Sequence, residues 1–240
     1  MYNENQYNTL PDVTMRDQSM VRTFMSGVFT WMFIALALTA LTAYLVAQSP
    51  AFLSLLVTET GLSIFGWVVM LAPLGFVMLM SFRFQKLSPT VLSILFIVYA
   101  FLVGVSLSFI FLVYSIGSIA VTFGVTSLTF GVMAVAGYTT KTDLTKFGSI
   151  MMMGLVGIII ASLINFFLKS DSMQYIISFI GVLIFTGLTA YDVQKLKNLG
   201  SEMIAGQEST RKYAIMGALS LYLDFINLFL FLLRFLGKRN

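Results

Sequence analysis

Two aspartates that lie within strongly apolar segments are the residues of this chain best suited to do chemistry. Asp224 stands near the middle of "ALSLYLDFINLFLFLLR", residues 218–234, and Asp192 lies in "FTGLTAYDVQKLK", residues 185–197. An ionised carboxylate at the centre of a bilayer costs about 2.5–3.5 kcal/mol, and ionisable residues inside membranes mark functional sites by default. These two carboxyl groups are therefore the candidate functional pair.

The chemistry of such a pair depends on whether the two carboxyl groups are neighbours. Two carboxylates that share a site cannot both ionise at low cost, so an adjacent pair is expected to hold a proton. When both are ionised, their hard oxygen atoms suit Ca²⁺, which takes about 6–8 oxygen ligands. Two carboxylates alone therefore predict transient passage or sensing of Ca²⁺ and no tightly bound cofactor.

The spacing of small and polar residues on the last apolar segment indicates which way Asp224 faces. At about 100° per residue, Gly217, Ser220, Asp224 and Asn227 fall within one arc of about 80°. Small and polar residues line helix–helix interfaces in membranes. We therefore expect Asp224 to face protein, with Ser220, Asn227 and Tyr191 as supporting polar groups.

Each charged candidate also has a simpler interpretation. Asp224 could be a structural acid that is neutral or hydrogen-bonded within the bundle, and Asp192 could pair with Lys195, three residues further on. Arg83, in "SFRFQKLSP", is the cation nearest in depth to Asp192. It could form a salt bridge that opens when the acid is protonated, or it could simply anchor the chain at the cytoplasmic interface.

The composition places these residues in a membrane protein. Of the 240 residues, 58% are hydrophobic and only 10% are charged, whereas soluble proteins carry about 25% charged residues. The chain has no Cys and no His, which excludes disulfides, thiolate or imidazole catalysis and most zinc or haem ligation. The net charge of +4 comes mainly from short loops, so it indicates membrane orientation and not nucleic-acid binding.

Seven apolar segments are long enough to span a bilayer, which takes about 20 residues each. They cover residues 23–47, 62–82, 90–114, 118–138, 147–168, 173–193 and 213–236. The sequence "SIGS" between the third and fourth predicts a tight hairpin. We therefore predict an all-α membrane protein, a seven-transmembrane helical bundle over residues 22–240. A polar cytoplasmic tail, residues 1–21, precedes it and is expected to be poorly ordered.

The distribution of basic residues predicts the orientation of the bundle. Lys and Arg concentrate in the tail and in the loops after the even-numbered spans, whereas the alternate loops hold only Lys169. The positive-inside rule then places the N-terminus in the cytoplasm. Arg234, Lys238 and Arg239 oppose this, since seven spans put the C-terminus outside. A buried or re-entrant last segment therefore stays open as an alternative.

Three sequence motifs resemble the Bax inhibitor-1 family, and its bacterial YccA/YetJ-like branch in particular. They are "YDVQ" at 191–194, "LYLDFINLFLFLLR" at 221–234 and "FRFQKLSP" at 82–89. The resemblance covers essentially the whole chain after the tail, including "FTWMFIALALTALTAYL" at 29–45. The sixth–seventh connection, "KLKNLGSEMIAGQESTRKYA", is longer and more polar than the family leads us to expect.

The resemblance implies a specific architecture and role. It implies a seven-helix bundle with a central seventh helix, and a proton-sensitive Ca²⁺ leak in the bacterial inner membrane. The paired aspartates of the family correspond to Asp192 and Asp224. The arginine that latches the first of those acids corresponds to Arg83. On this hypothesis the chain is not an enzyme, and its partners are the lipid bilayer, H⁺ and Ca²⁺.

Two other functions compete with the leak channel. An intramembrane aspartyl protease also uses two membrane aspartates, but such enzymes carry Gly-x-Gly before the second acid, where this chain has Leu-Tyr-Leu before Asp224, and it has no Pro-Ala-Leu sequence. The family resemblance also permits a non-transporting regulator that binds a membrane protease or a stress-response partner. Its docking surfaces would be the tail and the sixth–seventh loop.

Overall fold

A computed structural model of the chain describes residues 10–58, 61–203 and 207–238. Within these ranges, seven helices are long and apolar enough to cross a membrane. The elements in chain order are α1 (Leu10–Ala47), α2 (Pro50–Leu56), β1 (Val57–Thr58), β2 (Gly61–Leu62), α3 (Ile64–Arg83), a 3₁₀ turn (Phe84–Lys86), α4 (Pro89–Leu107), α5 (Ile110–Val113), α6 (Ile116–Thr139), α7 (Thr145–Leu168), α8 (Asp171–Ser201) and α9 (Glu208–Leu236).

The predicted fold class is confirmed, because each of the seven apolar segments coincides with a long helix. The third span is broken near its end, where α5 follows α4, and only Tyr114 and Ser115 separate α5 from α6. This agrees with the predicted tight hairpin. The small antiparallel pair of β1 and β2, between the first and second spans, has no hydropathy signal and was not predicted.

Helical structure extends further at two places than the sequence led us to expect. Helix α1 begins at Leu10, so residues 10–21 are helical where the sequence led us to expect a poorly ordered tail; residues 1–9 lie outside the described part of the chain. Between residues 12 and 26 the sequence holds neither Gly nor Pro, and nothing there interrupts a helix that the membrane span already stabilises.

The sixth–seventh connection is also mostly helical and not a long polar loop. Helix α8 continues to Ser201 and α9 begins at Glu208, which leaves residues 202–207 as the connection, with 204–206 outside the described residues. The extension of α8 keeps an inward stripe, since Leu196 and Gly200 are buried. Gly200 lies against the ring of Phe24 on α1. Packing on α1 therefore carries the helix beyond its apolar span.

Helices α8 and α9 form the centre of the bundle. Within their span windows 56% and 61% of the residues are buried, against 11–39% in the other five. Helix α8 packs on α1, α6 and α7, whereas α9 packs on α1, α4 and α6, and the two pack on each other. The central seventh helix that the resemblance implied is therefore present.

Small residues permit the closest of these helix contacts. Gly137 on α6 lies directly against the backbone of Ala190 on α8, and Gly104 on α4 lies against the backbone of Thr39 on α1. A Cβ atom at either glycine would overlap its neighbour. Close backbone approach of this kind is how membrane helices pack without a hydrophobic driving force between them.

The far end of α9 lies beside the α5–α6 connection. The Lys238 backbone N–H donates to Ser118 Oγ at 2.9 Å, and the Ser115 N–H donates to the Lys238 carbonyl at 3.4 Å. Since the α8–α9 connection is at the opposite end, α9 crosses the whole bundle as one continuous helix. The last segment is therefore not re-entrant, whereas the other alternative, a buried last segment, agrees with the 61% of its span window that is buried.

Candidate functional site

The two candidate aspartates line one cavity of about 730 Å³ between α7, α8 and α9. Asp192 comes from α8 and Asp224 from α9, while α7 contributes an apolar wall that includes Met152 and Ile158. The cavity also contains three other predicted polar residues, Tyr191, Ser220 and Asn227. The structure thus brings the predicted acids and their supporting groups into one site.

The two carboxyl groups line the same cavity but lie in different surroundings. Asp192 is half-buried, and one of its oxygens accepts a hydrogen bond of 2.6 Å from Ser220 Oγ. Asp224 is only 5% exposed, and its buried Oδ2 has no hydrogen-bond partner among the residues described.

An unpartnered buried carboxyl oxygen restricts what the site can do chemically. A buried charge must be neutralised, paired or coordinated to a cation. The Asp224 oxygen can therefore be satisfied by a proton shared with Asp192, by water, or by a cation in the cavity. Because a shared proton and a bound cation exclude one another, the arrangement is suited to exchange of a proton for a cation.

Contacts on the opposite side of α9 fix the direction in which Asp224 points. The Tyr222 side chain, about 200° around the helix from Asp224, is fully buried. Its hydroxyl lies 2.7 Å from Thr39 Oγ1 on α1, and Thr39 donates at 2.8 Å to the Ala100 carbonyl on α4. The Tyr222 ring packs edge-on against two aromatic rings of α4. Helix α9 is thereby held against α1 and α4, which directs Asp224 towards α8.

The supporting polar residues occupy the walls of the cavity. The ring of Tyr191 lies flush against Gly148 of α7, where no Cβ would fit. The Asn227 side-chain amide donates at 2.8 Å to the Leu223 carbonyl, one turn back on its own helix. Tyr191 therefore packs on α7, and Asn227 forms a hydrogen bond within its own helix.

Arg83 does not reach the acid pair in this conformation. It is exposed at the end of α3 and does not line the cavity. Among the described residues the ion pair present is Lys212–Glu208, so Asp192 pairs with neither Arg83 nor Lys195. Lys195 does line the cavity, with its ammonium 5.9 Å from the ring centroid of Tyr191. The cation nearest the site along α8 is thus Lys195, and the Arg83 latch stays a prediction about another state.

Sequence reasoning missed two residues that hold the end of α6 and the α6–α7 loop onto α8. The Gln194 side chain accepts a 2.8 Å hydrogen bond from the Leu144 N–H and donates one of 2.7 Å to the Thr142 carbonyl. Lys197 Nζ donates at 2.7 Å to the Tyr138 carbonyl. Gln194 belongs to the quoted "YDVQ" motif, but its partners are backbone atoms of a distant segment. No side-chain pattern could have indicated them.

The composition of the site limits the kind of cation binding it supports. No group of three or more His, Cys, Asp or Glu residues gathers within the part of the chain that the structure describes. Two carboxylates with hydroxyl and amide oxygens nearby provide fewer ligands than a tight Ca²⁺ site requires. The residues present fit transient coordination completed by water.

Comparison with known proteins identifies the family. Residues 21–240 match the family model described as "Inhibitor of apoptosis-promoting Bax1". The chain belongs to the Bax inhibitor-1 family. A relative in Escherichia coli K12, "Inner membrane protein YbhL", is 47% identical over 95% of this chain and 97% of its own length. An uncharacterized protein of Borreliella burgdorferi is 44% identical over 95% of this chain and 98% of its own length.

The inner-membrane relative and the seven candidate spans together indicate where the protein is located. It is an integral protein of the inner membrane, and the lipid bilayer is its surroundings. The match begins at residue 21 and continues through α9, so the cavity and both aspartates lie within the part shared with the Bax inhibitor-1 family.

Proposed function

We propose that this Bax inhibitor-1 family protein is a pH-sensitive Ca²⁺ leak channel in which Asp192 and Asp224 form a shared proton and cation site. The observation that carries the proposal is the meeting of two carboxyl groups in one cavity, with a buried oxygen of Asp224 left without a partner. Intramembrane ionisable residues that face a cavity mark ion pathways.

The proposed mechanism is a competition between protons and Ca²⁺ for the pair. With one shared proton the site carries a single negative charge, and with both acids ionised it attracts a divalent cation. Ser220 orients the Asp192 carboxylate through its hydrogen bond. Asn227 and Tyr191 supply further polar surface along the cavity. Ca²⁺ is the transported ion in this scheme, and no resident cofactor takes part.

The direct test is Ca²⁺ flux into proteoliposomes over a series of pH values. Asp192→Asn and Asp224→Asn keep the side-chain size but remove one ionisable group of the pair, so each is expected to change the pH dependence of flux. Asp171→Asn is the matched control, because that acid lies in the first turn of α8, away from the cavity. Unchanged, pH-dependent flux in both cavity variants would overturn the proposal.

A second experiment tests whether water and ions reach the pair. The chain has no Cys, so a single introduced thiol can be labelled without background. Asn227 lines the cavity. The thiol of Asn227→Cys is therefore expected to react with a small charged thiol reagent. Leu228→Cys, at a fully buried position outside the cavity, is the control and is expected to stay unreactive. Equal protection at both positions would contradict an aqueous pathway.

The latch role of Arg83 is part of the proposal and has its own test. If Arg83 pairs with Asp192 in a closed state, protonation of Asp192 releases the pair. Arg83→Gln is then expected to shift the pH at which flux is half-maximal. Lys86→Gln removes a charge from the adjoining 3₁₀ turn and is expected to leave that pH unchanged. The same profile for wild type and Arg83→Gln would remove Arg83 from the gate.

The proposal assigns ion and proton movement, and no enzymatic reaction, to the acid pair. An aspartyl protease with these acids would cleave a reporter transmembrane peptide in the same proteoliposomes, and would lose that cleavage in Asp192→Asn. We expect intact reporter in every sample. Cleavage that depends on Asp192 would contradict the channel proposal and favour the protease.

A further inference from the structure

A groove between α1 and α6, which shares no lining residue with the cavity of the acid pair, combines a basic mouth with an apolar limb. Two cavities, of about 650 and 330 Å³, meet there and share Arg22 and Tyr138. We propose that this groove binds an anionic phospholipid of the cytoplasmic leaflet, with the headgroup phosphate in the mouth and an acyl chain in the limb.

The mouth is suited to an anion. Arg22 of α1 and Lys197 of α8 both line it, together with hydroxyl groups that include those of Tyr138 and Ser201. Its described lining contains no acidic side chain, and Arg22 makes no ion pair with any described residue. Lys197 donates to the Tyr138 carbonyl, which positions its ammonium in the mouth and leaves two of its three protons for a ligand.

The limb is suited to hydrocarbon. Met25 and Phe29 of α1 form one side, and Ala134 and Val135 of α6 form the other. These residues follow Arg22 along α1 and precede Tyr138 along α6, so they lie deeper in the spans Gln18–Ala47 and Ile116–Thr139 than the mouth does. From the membrane surface inwards, the polar mouth is therefore followed by the apolar limb, as a lipid headgroup is followed by its acyl chain.

The positive charge of the mouth and the depth of the limb favour a phospholipid over a soluble phosphate compound as the ligand of the groove. The mouth lies at the end of the bundle that carries most of the loop Lys and Arg residues, which the positive-inside rule assigns to the cytoplasm. Anionic lipids of that leaflet attract basic residues near the membrane surface. A soluble phosphate compound would use the mouth but not the limb, whereas a phospholipid uses both.

The first test is a lipid titration of the purified protein in detergent, followed by native mass spectrometry. Phosphatidylglycerol is expected to bind more tightly than zwitterionic phosphatidylethanolamine. Arg22→Gln and Lys197→Gln are each expected to weaken phosphatidylglycerol binding about fivefold, which corresponds to about 1 kcal/mol per basic residue. Lys86→Gln and Lys141→Gln, which remove cytoplasmic loop charges outside the groove, are the controls. An equal loss in variants and controls would mean a general surface attraction and would overturn the site.

The second test distinguishes a lipid from a free anion. Val135→Trp fills the limb from a position 64% exposed, and Val132→Trp adds the same ring at a site 58% exposed that does not line the groove. The first is expected to lower phosphatidylglycerol affinity and the second to leave it unchanged. Competition by inorganic phosphate together with an unaffected Val135→Trp would identify a soluble anion and contradict the lipid. Unaltered melting temperatures without lipid show that the variants are folded.

Discussion

The link between Thr39 and Tyr222 makes an asymmetric prediction about the stability of the bundle. Thr39 has one hydroxyl proton, which it donates to the Ala100 carbonyl, so the Tyr222 hydroxyl must be the donor to Thr39 Oγ1. Tyr222→Phe then removes a donor and leaves no buried proton without an acceptor. Thr39→Val has nearly the same volume, but it leaves the Tyr222 O–H without its partner in a fully buried site.

The two substitutions are therefore expected to differ in the free energy of unfolding. Tyr222→Phe loses one net hydrogen bond, about 0.5–1.5 kcal/mol, whereas Thr39→Val leaves an unsatisfied buried donor at about 1–3 kcal/mol. Interhelical hydrogen bonds in membranes average about 0.6 kcal/mol, which favours the low end for Tyr222→Phe. The double variant has no orphaned hydroxyl, so it is expected to be no less stable than Thr39→Val alone.

The assay is reversible unfolding in mixed micelles by SDS titration, with the four proteins of the double-mutant cycle measured in parallel. Tyr175→Phe is the matched control, because Tyr175 is 57% exposed on α8 and should unfold like wild type. The reasoning would be refuted if Tyr222→Phe were more destabilising than Thr39→Val, or if the two costs simply added in the double variant.

Three further predictions concern packing, the α6–α7 loop and topology. Gly137→Ala is expected to destabilise the protein strongly and Gly131→Ala little, as measured by melting temperature, because only the first meets the backbone of α8; equal melting points would contradict this. Gln194→Ala removes two hydrogen bonds to the loop, each at about 0.5–1.5 kcal/mol, so it is expected to destabilise the protein and to speed proteolysis of the loop. An impermeant thiol reagent outside intact cells is expected to label Lys238→Cys and not Lys141→Cys, and the reverse would invert the topology.

Hydropathy and helical periodicity were sufficient to predict the spans and the inward face of α9. Lipid requires long apolar helices, so their number and order are set locally in the sequence. Asp224 was predicted to face the interior because it shares an arc with Gly217, Ser220 and Asn227, and small and polar residues line helix–helix interfaces in membranes. Asp192 was predicted as its partner because it is the second acid within an apolar span. Ser220, chosen only for its place on the arc, donates to Asp192.

Contacts between distant segments could not be predicted in this way. The Thr39–Tyr222 link joins residues on the first and last spans, and Gln194 binds backbone atoms that every sequence possesses. Arg83 was chosen by its depth and by the family resemblance, and neither specifies rotation or distance around the bundle in a given conformation. The helical extensions of α1 and α8 were missed because hydropathy reports the membrane span and not where the helix ends.

The most direct test of the central claim is Ca²⁺ flux through wild-type protein and the Asp192→Asn/Asp224→Asn double variant, each measured in acidic and alkaline buffer. The account predicts that wild-type flux differs between the two buffers and that the double variant shows the same flux in both. A pH-dependent flux that survives removal of both carboxyl groups, or the absence of any wild-type flux, would contradict it.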